Sequence, residues 1–519
     1  MAKHYDVVVL GAGIGALCTA ALLARRSWRV LVLGQGFRPA HYSYDGLPLA
    51  RRPFTFLASA SPAWGRVLIE LAQSQAFRRH GRVVDPMLQV IDPRIRLSIP
   101  PDGALLGREI DREFPEVRRV VDELYAELGR SNALFDAAFE RDVVWPPGTF
   151  WERRETLRVA STVPYLEDHA RDVLAEFPRA HPYRTIVETP ARFGSNLATE
   201  LPFFAVARLH GAWTRGLLEL VGGEADLVDF LVDRVQAHGG EARLGSRATQ
   251  VVSRFGRATG VRVDGEDDVT GVQFVVTDQT SSGLLDLASE YRPSRRALDA
   301  RARLDVPSQR FVTSLLVRDE GIPAPLAREA FLLPGDGTNR SSRPIVHLQK
   351  STAVSPLPGT TLLVAETFVG AGHPFDPEDL RRARASVLAV IEAALPFVER
   401  HYVLVDSPHD GLPLWDYRSG TRALVDRTDV RVGGGSLEAE PMSPLFSVTD
   451  AEPGALSGLG GEAIRYPLAG TFGVGKSIVP SLGQEGELLA AWGVARTITR
   501  TDRRKEKMRR EMWSKVELG

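Results

Sequence analysis

The sequence predicts an α/β fold in which a nucleotide-type domain is interleaved with a second, α+β domain, and three observations carry that reading. The chain opens on an apolar strand that runs through a glycine turn into an apolar helix; a helix followed by short alternating strands lies mid-chain; a strand, glycine-rich turn and closing helix lie near the C-terminus. A chain of 519 residues exceeds one ordinary core, so two domains are expected, one interrupted by the other. Hydrophobic residues at 44% and charged residues at 25% are the balance of a globular protein and exclude a disordered chain or a membrane bundle.

The first element is YDVVVLGAGIGALCTAALLARRSWRVLVLGQG, read as a strand over 7–10, a turn, a helix over 15–26 and a second strand over 29–33. This is a Rossmann-like βαβ unit. Gly11 permits the tight turn, Gly13 lets the backbone approach a diphosphate, Gly15 opens the helix, and Ala16 takes the third position, where a small residue lets the helix pack on the sheet. The helix N-terminus adds free N–H groups and a partial positive charge. Residues 7–24 carry no charge, yet the β-branched opening and the three glycines suit strand, turn and helix rather than a membrane span.

The second strand ends on Leu33-Gly34-Gln35-Gly36, where the usual fingerprint has an acid that accepts hydrogen bonds from the adenosine ribose. Losing a hydrogen bond to a charged group costs about 1.5–3 kcal/mol, which weakens a nucleotide roughly tenfold to a hundredfold unless Gln35 substitutes. Arg38 has two readings, a solvated side chain or a partner for the 2′-phosphate of NADP.

The middle block has a helix ending at Gly239-Gly240, then strands separated by Gly256, Gly260 and Gly265. Residues 470–477, GTFGVGKS, satisfy a P-loop string letter by letter. A P-loop runs straight into a helix, whereas Pro480 intervenes and the closing helix begins near Gly483, so nucleotide hydrolysis is not expected.

These blocks carry a family resemblance. VVVLGAGIGALCTAALLARR looks like the opening of the phytoene desaturase and amine-oxidase flavoprotein superfamily, and DPRIRLSIPPDGALLGREIDREFPEV (92–117), the segment 227–282 and IRYPLAGTFGVGKSIVPSLGQEGELLAAWGVARTI (464–498) are similar to later blocks of the phytoene desaturase and carotenoid isomerase family. The resemblance implies FAD as cofactor, an FAD-binding domain assembled from 1–75, 212–290 and 429–500, a substrate domain from 76–211 and 291–428, and a charged helix or tail over 501–519. It implies that the backbone of Ala248 holds the adenine, and that Gly470 and the backbone around Gly483, Gln484 and Glu485 approach the flavin. The Glu485 carboxylate also reads as a first-turn acid complementing the helix dipole. The implied activity is desaturase or isomerase chemistry on a large hydrophobic, polyene- or lipid-like substrate, with the chemistry belonging to the flavin and no catalytic side chain named. An amine oxidase shares the same nucleotide domain.

The chain also departs from the family. Where relatives have a Gly-Gly turn after the second strand, it reads FRPAHYSYDGLPLARRPF (37–54). With Gly34, this departure supports a second reading, a non-catalytic relative serving as a binding or scaffold protein.

Between the blocks, PEVRRVVDELYAELGR reads as a helix, the aromatic and proline cluster at 145–151 as a greasy tunnel or ordinary packing, 311–317 and 360–367 as strands, and 377–395 as a helix opened by Asp376, Glu378 and Asp379. His347 and His401 read as core histidines. No Ser-His-Asp order, HExxH string or metal-ligand spacing is present. Lys plus Arg (64) against Asp plus Glu (65) leave a net charge of -1, which gives no field for nucleic acid. Cys18 is the one cysteine, which excludes an internal disulfide and fits a reducing, cytoplasmic setting. The tail RTDRRKEKMRREMWSKVELG reads as a solvated helix with many i,i+4 charge pairs, or as a peripheral contact on an anionic membrane with Met508, Met512 and Trp513 inward.

Overall fold

The computed structural model describes residues 4–163, 172–295, 303–334, 343–370, 376–409, 411–426, 431–432, 435–436, 440–449 and 459–517. The first sheet is seven-stranded. Its middle strand, His4–Leu10, is parallel to Val30–Leu33 on one side and to Val269–Thr277 on the other. Val7, Val8, Val9 and Leu10 are fully buried, as the continuous apolar run of a strand covered on both faces requires. Thr471–Gly473 adds in parallel beyond Val269–Thr277. Helix Ile14–Arg25 follows the glycine turn as expected and packs against helices Glu224–Ala237 and Gly483–Thr499. Gly239 and Gly240 do end their helix, but Gly260 does not separate strands; it lies inside Arg257–Val263, paired with Val252 and Gly271.

The second sheet is ten-stranded and is built on the long strand Arg303–Arg318, flanked by Thr360–Gly370 and Tyr402–Asp406. Helix Pro377–Ala394, capped by the Asp376 side chain, covers one face through Leu380, Val387 and Ile391. The other face is met by a hairpin, His41–Tyr44 with Leu47–Ala50, which occupies the stretch where relatives keep their Gly-Gly turn. Asp45 and Gly46 turn it with φ of 49° and 77°, the left-handed pair of a two-residue hairpin. Ser443–Thr449, on the nucleotide side of the expected boundary at 428, pairs with Arg303–Arg318 in this second sheet.

The first part of the expected substrate domain, 76–211, opens with three short strands and is then helical, through Gly103–Glu113, Arg118–Phe139, Phe150–Ala160, Pro182–Gly194 and Phe203–Thr214. Trp145 is buried edge-on against Phe139, while Phe150 and Trp151 face solvent, so this aromatic cluster is packing and surface. The tail is helical over Arg503–Glu517 and docks on the core. Trp513 donates to Glu70 and meets Trp492 edge-on, and buried Arg509 pairs with Asp142 and Glu506. Neither a fully solvated helix nor a membrane face describes it, because Trp513 points into the protein. Among the described residues no helix is long and apolar enough to cross a membrane.

Candidate functional site

A cavity of about 390 Å³ opens where the parallel strands of the first sheet end and the second sheet begins. One end is the glycine turn, Ala12, Gly13 and Ile14; the other is Arg310, His347 and Glu366 on the second sheet. A crevice outside the carboxyl ends of parallel strands is where open α/β sheets bind ligands.

At the near end, Gly11 has φ of 117°, and Gly13 is the N-cap of helix Ile14–Arg25 with no side chain of its own to offer. The cap comes from far along the chain. Asp278, the first residue past strand Val269–Thr277, takes a hydrogen bond from Gly13 N–H on Oδ2 at 2.9 Å. A Cβ built at Gly11 falls 2.0 Å from Asp278 Oδ1, so the space that this glycine clears is filled by the carboxylate. Glu487, on the first turns of helix Gly483–Thr499, lines the same cavity, and the Gly15 backbone favours its charged form. Lys476 lines the same end and donates to Ser443 Oγ at 2.9 Å. Burial raises Asp278 against the pull of Gly13 N–H and Lys476. Burial also lifts Glu487 to about 7, with Asp278 adding repulsion while Lys476 and Gly15 N–H oppose it. Lys476 is exposed within the cleft; partial loss of solvent there lowers it, Glu487 opposes this, and Arg310 and Arg52 push it down.

This arrangement tests the expected diphosphate site. The helix N-terminus and an ammonium form the donor set an anion needs, and the Asp278 carboxylate serves there as a stand-in anion. The donors therefore fit a diphosphate in chemistry, with Asp278 standing on the Gly13 amide and Glu487 close by in the lining. Ala16 is fully buried in the helix, and the tight packing expected at its position belongs to Gly15, where a Cβ would fall 2.1 Å from the Val474 carbonyl.

The adenosine end differs from expectation at three residues. Gln35 does not serve a ribose: its amide closes a pair on the backbone of Ala248, accepting from Ala248 N–H at 2.8 Å and donating to Ala248 C=O at 3.0 Å. The backbone groups assigned to adenine are thus taken by the residue assigned to ribose. Gly34 backs onto Leu244, whose carbonyl would lie 1.9 Å from a Cβ there, so the missing acid has no space. Arg38 accepts on its carbonyl from Arg52 and stands near Glu440, outside the cavity wall.

Of the C-terminal candidates, Gly483 and Gln484 do line the cavity. Gln484 donates to Thr55 C=O at 2.9 Å and accepts from Ala58 N–H at 3.3 Å, tying the helix to the 55–58 segment of the N-terminal part of the chain. Gly470 does not reach the cavity: it is a turn with φ of 82° at the entry of strand Thr471–Gly473, its carbonyl bound to Val275 N–H. Glu485 is neither a flavin contact nor chiefly a helix-dipole acid. It is buried in a two-point pair with Arg208, 2.6 Å at each oxygen, and takes a third bond from Ser61.

The far wall is polar. Arg310 pairs with Glu366 at 2.7 Å and donates to the Phe193 carbonyl at 3.0 Å. His347, expected as a core histidine, is buried yet lines the cavity, with Nε2 2.9 Å from Glu329 and Nδ1 4.0 Å from Glu366. Burial raises Glu329, but the His347 hydrogen bond and Arg328 outweigh it and hold the carboxyl below its ordinary value. With an ionised acceptor at Nε2, the neutral imidazole carries its proton there and leaves Nδ1 as a base. Gln349 joins Glu329 to Thr55 and Phe54, so the loop replacing the Gly-Gly turn is bolted to this wall. His401 ends a short helical turn and is not part of the cavity. Sequence reading missed Asp278, Glu487 and Arg310, and dismissed Lys476 together with the P-loop string. No cluster suited to a metal ion occurs among the described residues.

The comparisons agree with this geometry. The chain is similar in fold to an oxidoreductase from Methanosarcina mazei, with 18% identity, 95% of this chain and 100% of the other covered, and a TM-score of 0.57. A triple mutant of putrescine oxidase matches at 13% identity over 96% and 100% of the two chains with a TM-score of 0.55. Cyclohexylamine oxidase from Brevibacterium oxydans matches at 15% over 98% and 100%, with a TM-score of 0.51. No curated protein matches. The profile of the FAD dependent oxidoreductase family, DAO, matches residues 6–431, a span that includes the glycine turn and most of both sheets; the chain belongs to this family, and FAD is its cofactor.

Proposed function

We propose that this protein is an FAD-dependent oxidoreductase whose substrate has an apolar body and one polar or charged end, and that this end points toward Arg310, Glu366 and His347. The observation that carries the reading is the make-up of the cavity, which pairs an aromatic lining of Phe54, Phe193 and Trp213 with that charged far wall. Such a surface suits an amphipathic molecule, since a pure hydrocarbon would leave three polar groups facing apolar matter at a cost of about 1–3 kcal/mol each. The polyene- or lipid-like body expected from the family resemblance fits the aromatic part. The single buried Cys18 suits work in a reducing compartment such as the cytoplasm.

Gly13, Gly15 and Lys476 would hold the diphosphate of FAD, and Gly483 and Gln484 line the cavity toward its flavin end. Bound FAD supplies a two-electron acceptor. The protein's part is to orient and to exclude water: the aromatic residues pack the substrate body, the Arg310–Glu366 pair fixes the polar end, and His347 Nδ1 takes a proton released during oxidation, with Glu329 stabilising the resulting imidazolium.

The test is anaerobic bleaching of the flavin absorbance by matched substrates, a long-chain amine or acid against the corresponding hydrocarbon. The amphipathic member should bleach the flavin, and Arg310→Gln should raise its half-saturating concentration about tenfold, the value of one charge-assisted hydrogen bond. Equal bleaching by the hydrocarbon in both proteins would overturn the polar-end assignment and return the reading to polyene desaturation.

A further inference from the structure

Two carboxylates of the protein's own stand at the glycine turn. Asp278 Oδ2 lies 2.9 Å from Gly13 N, its carboxylate fills the space in front of Gly11, and Glu487 lines the same cavity together with Lys476. The Gly13 amide is a donor a diphosphate would use, and one N–H cannot serve two acceptors at full strength. A diphosphate brought to the turn with both carboxylates ionised would meet like charges at contact distance in a partly buried site, which is strongly unfavourable. The position of Asp278 is fixed by packing: Gly475 approaches so closely that a Cβ there would lie 1.8 Å from the Asp278 carbonyl. Its backbone stays in place, so only a side-chain rotation frees the amide.

We propose that Asp278 and Glu487 are the residues that set FAD affinity, acting as internal competitors of its diphosphate, so that FAD binds by turning Asp278 off the Gly13 amide and with proton uptake by these carboxyls. This rests on the reading of the cleft as the FAD site. Lys476 faces both acids and Glu224 acts on Glu487, Arg52 and Arg310 act on Lys476, and Tyr466 and Cys18 also face the acids. Burial raises both carboxyls, Glu487 to about 7. The sign follows: as pH falls, the carboxyls become neutral, their grip on the amides weakens, their repulsion of phosphate disappears and FAD binds more tightly. His347 and His409 also line the cavity, so variants must separate them from the acids.

The experiment is FAD titration by flavin fluorescence on the full chain between about pH 6 and about pH 8, for the wild type, Asp278→Asn, Glu487→Gln and the double variant, with circular dichroism confirming the fold of each. Affinity of the wild type should rise as pH falls, Asp278→Asn should tighten FAD about tenfold or more at the upper end, equivalent to removing about one pKa unit of competition, and the double variant should lose the pH slope. If Asp278→Asn fails to fold, Glu487→Gln alone should still flatten the slope. Tight, pH-independent binding by the wild type with no gain in any variant overturns the inference while leaving the FAD reading intact. Failure of every protein to bind FAD at any pH overturns the FAD reading itself, and the cleft then belongs to a binding protein.

Discussion

Glu485 and Glu487 stand two residues apart at the start of one helix, both buried, at 7% and 5% exposure, and they have opposite fates. Glu485 points at Arg208 and is matched oxygen for nitrogen, with Ser61 as a further donor. Glu487 points at the glycine turn, where Gly15 N–H and Lys476 favour its charge but burial and Asp278 outweigh them and lift it to about 7. Burial is common to both, so the partner decides. A matched carboxylate is part of the scaffold; a mismatched one titrates where the protein works, and it does so against the cofactor site.

That contrast is most exposed to a test at the matched acid. Arg208→Leu strands Glu485 in the core with only Ser61 as a donor, and breaking one partner of a buried pair should cost about 3–5 kcal/mol in denaturant unfolding; a loss under about 1 kcal/mol would place the pair with weak surface bridges. Next in size is Gly34→Glu, which restores the acid of the usual fingerprint. Its Cβ would lie 1.9 Å from the Leu244 carbonyl, so the expected result is about 1–3 kcal/mol of destabilisation with no gain in FAD affinity.

The mismatched acid gives a pH signature. Glu487 has a folded value raised from 4.5 to about 7, so the folded state binds the proton more tightly than the unfolded chain. Its contribution is full below 4.5 and is lost as pH rises through about 7. Glu487→Gln should therefore flatten the fall in stability across that interval, measured as unfolding midpoints against pH. The smallest effect is expected at Gln35→Ala. It removes two hydrogen bonds to Ala248 at about 0.5–1.5 kcal/mol each and frees a backbone edge, so stability should drop slightly while affinity for ADP rises.

The glycine turn was legible because everything it needs is local: a β-branched strand, glycines at fixed spacing and an apolar helix within thirty-odd residues. The groups that occupy it were not. Asp278 meets Gly13 across 265 positions, and Gln35 meets Ala248 across 213. Both contacts exist only because parallel strands bring their ends together, and an aspartate after a strand carries no local pattern. Lys476 did carry one, but the motif around it was a P-loop string that Pro480 rightly disqualified, and the lysine went with the motif. The same holds on the second sheet, where His347 read as a core histidine because an apolar run says nothing about whether the neighbouring strand supplies Glu366 and the strand beyond it Arg310. The acid missing at Gly34 was visible in the sequence, whereas its cause, the carbonyl of Leu244, was not.

The glycine turn is proposed as an anion cradle that the protein's own carboxylates share with FAD. The most direct measurement is an experimental structure of the FAD-saturated protein. The prediction is a diphosphate oxygen within hydrogen-bond distance of Gly13 N, Asp278 rotated away from it, and Lys476 turned toward the phosphates. Flavin bound elsewhere, with Asp278 still on Gly13, would contradict it.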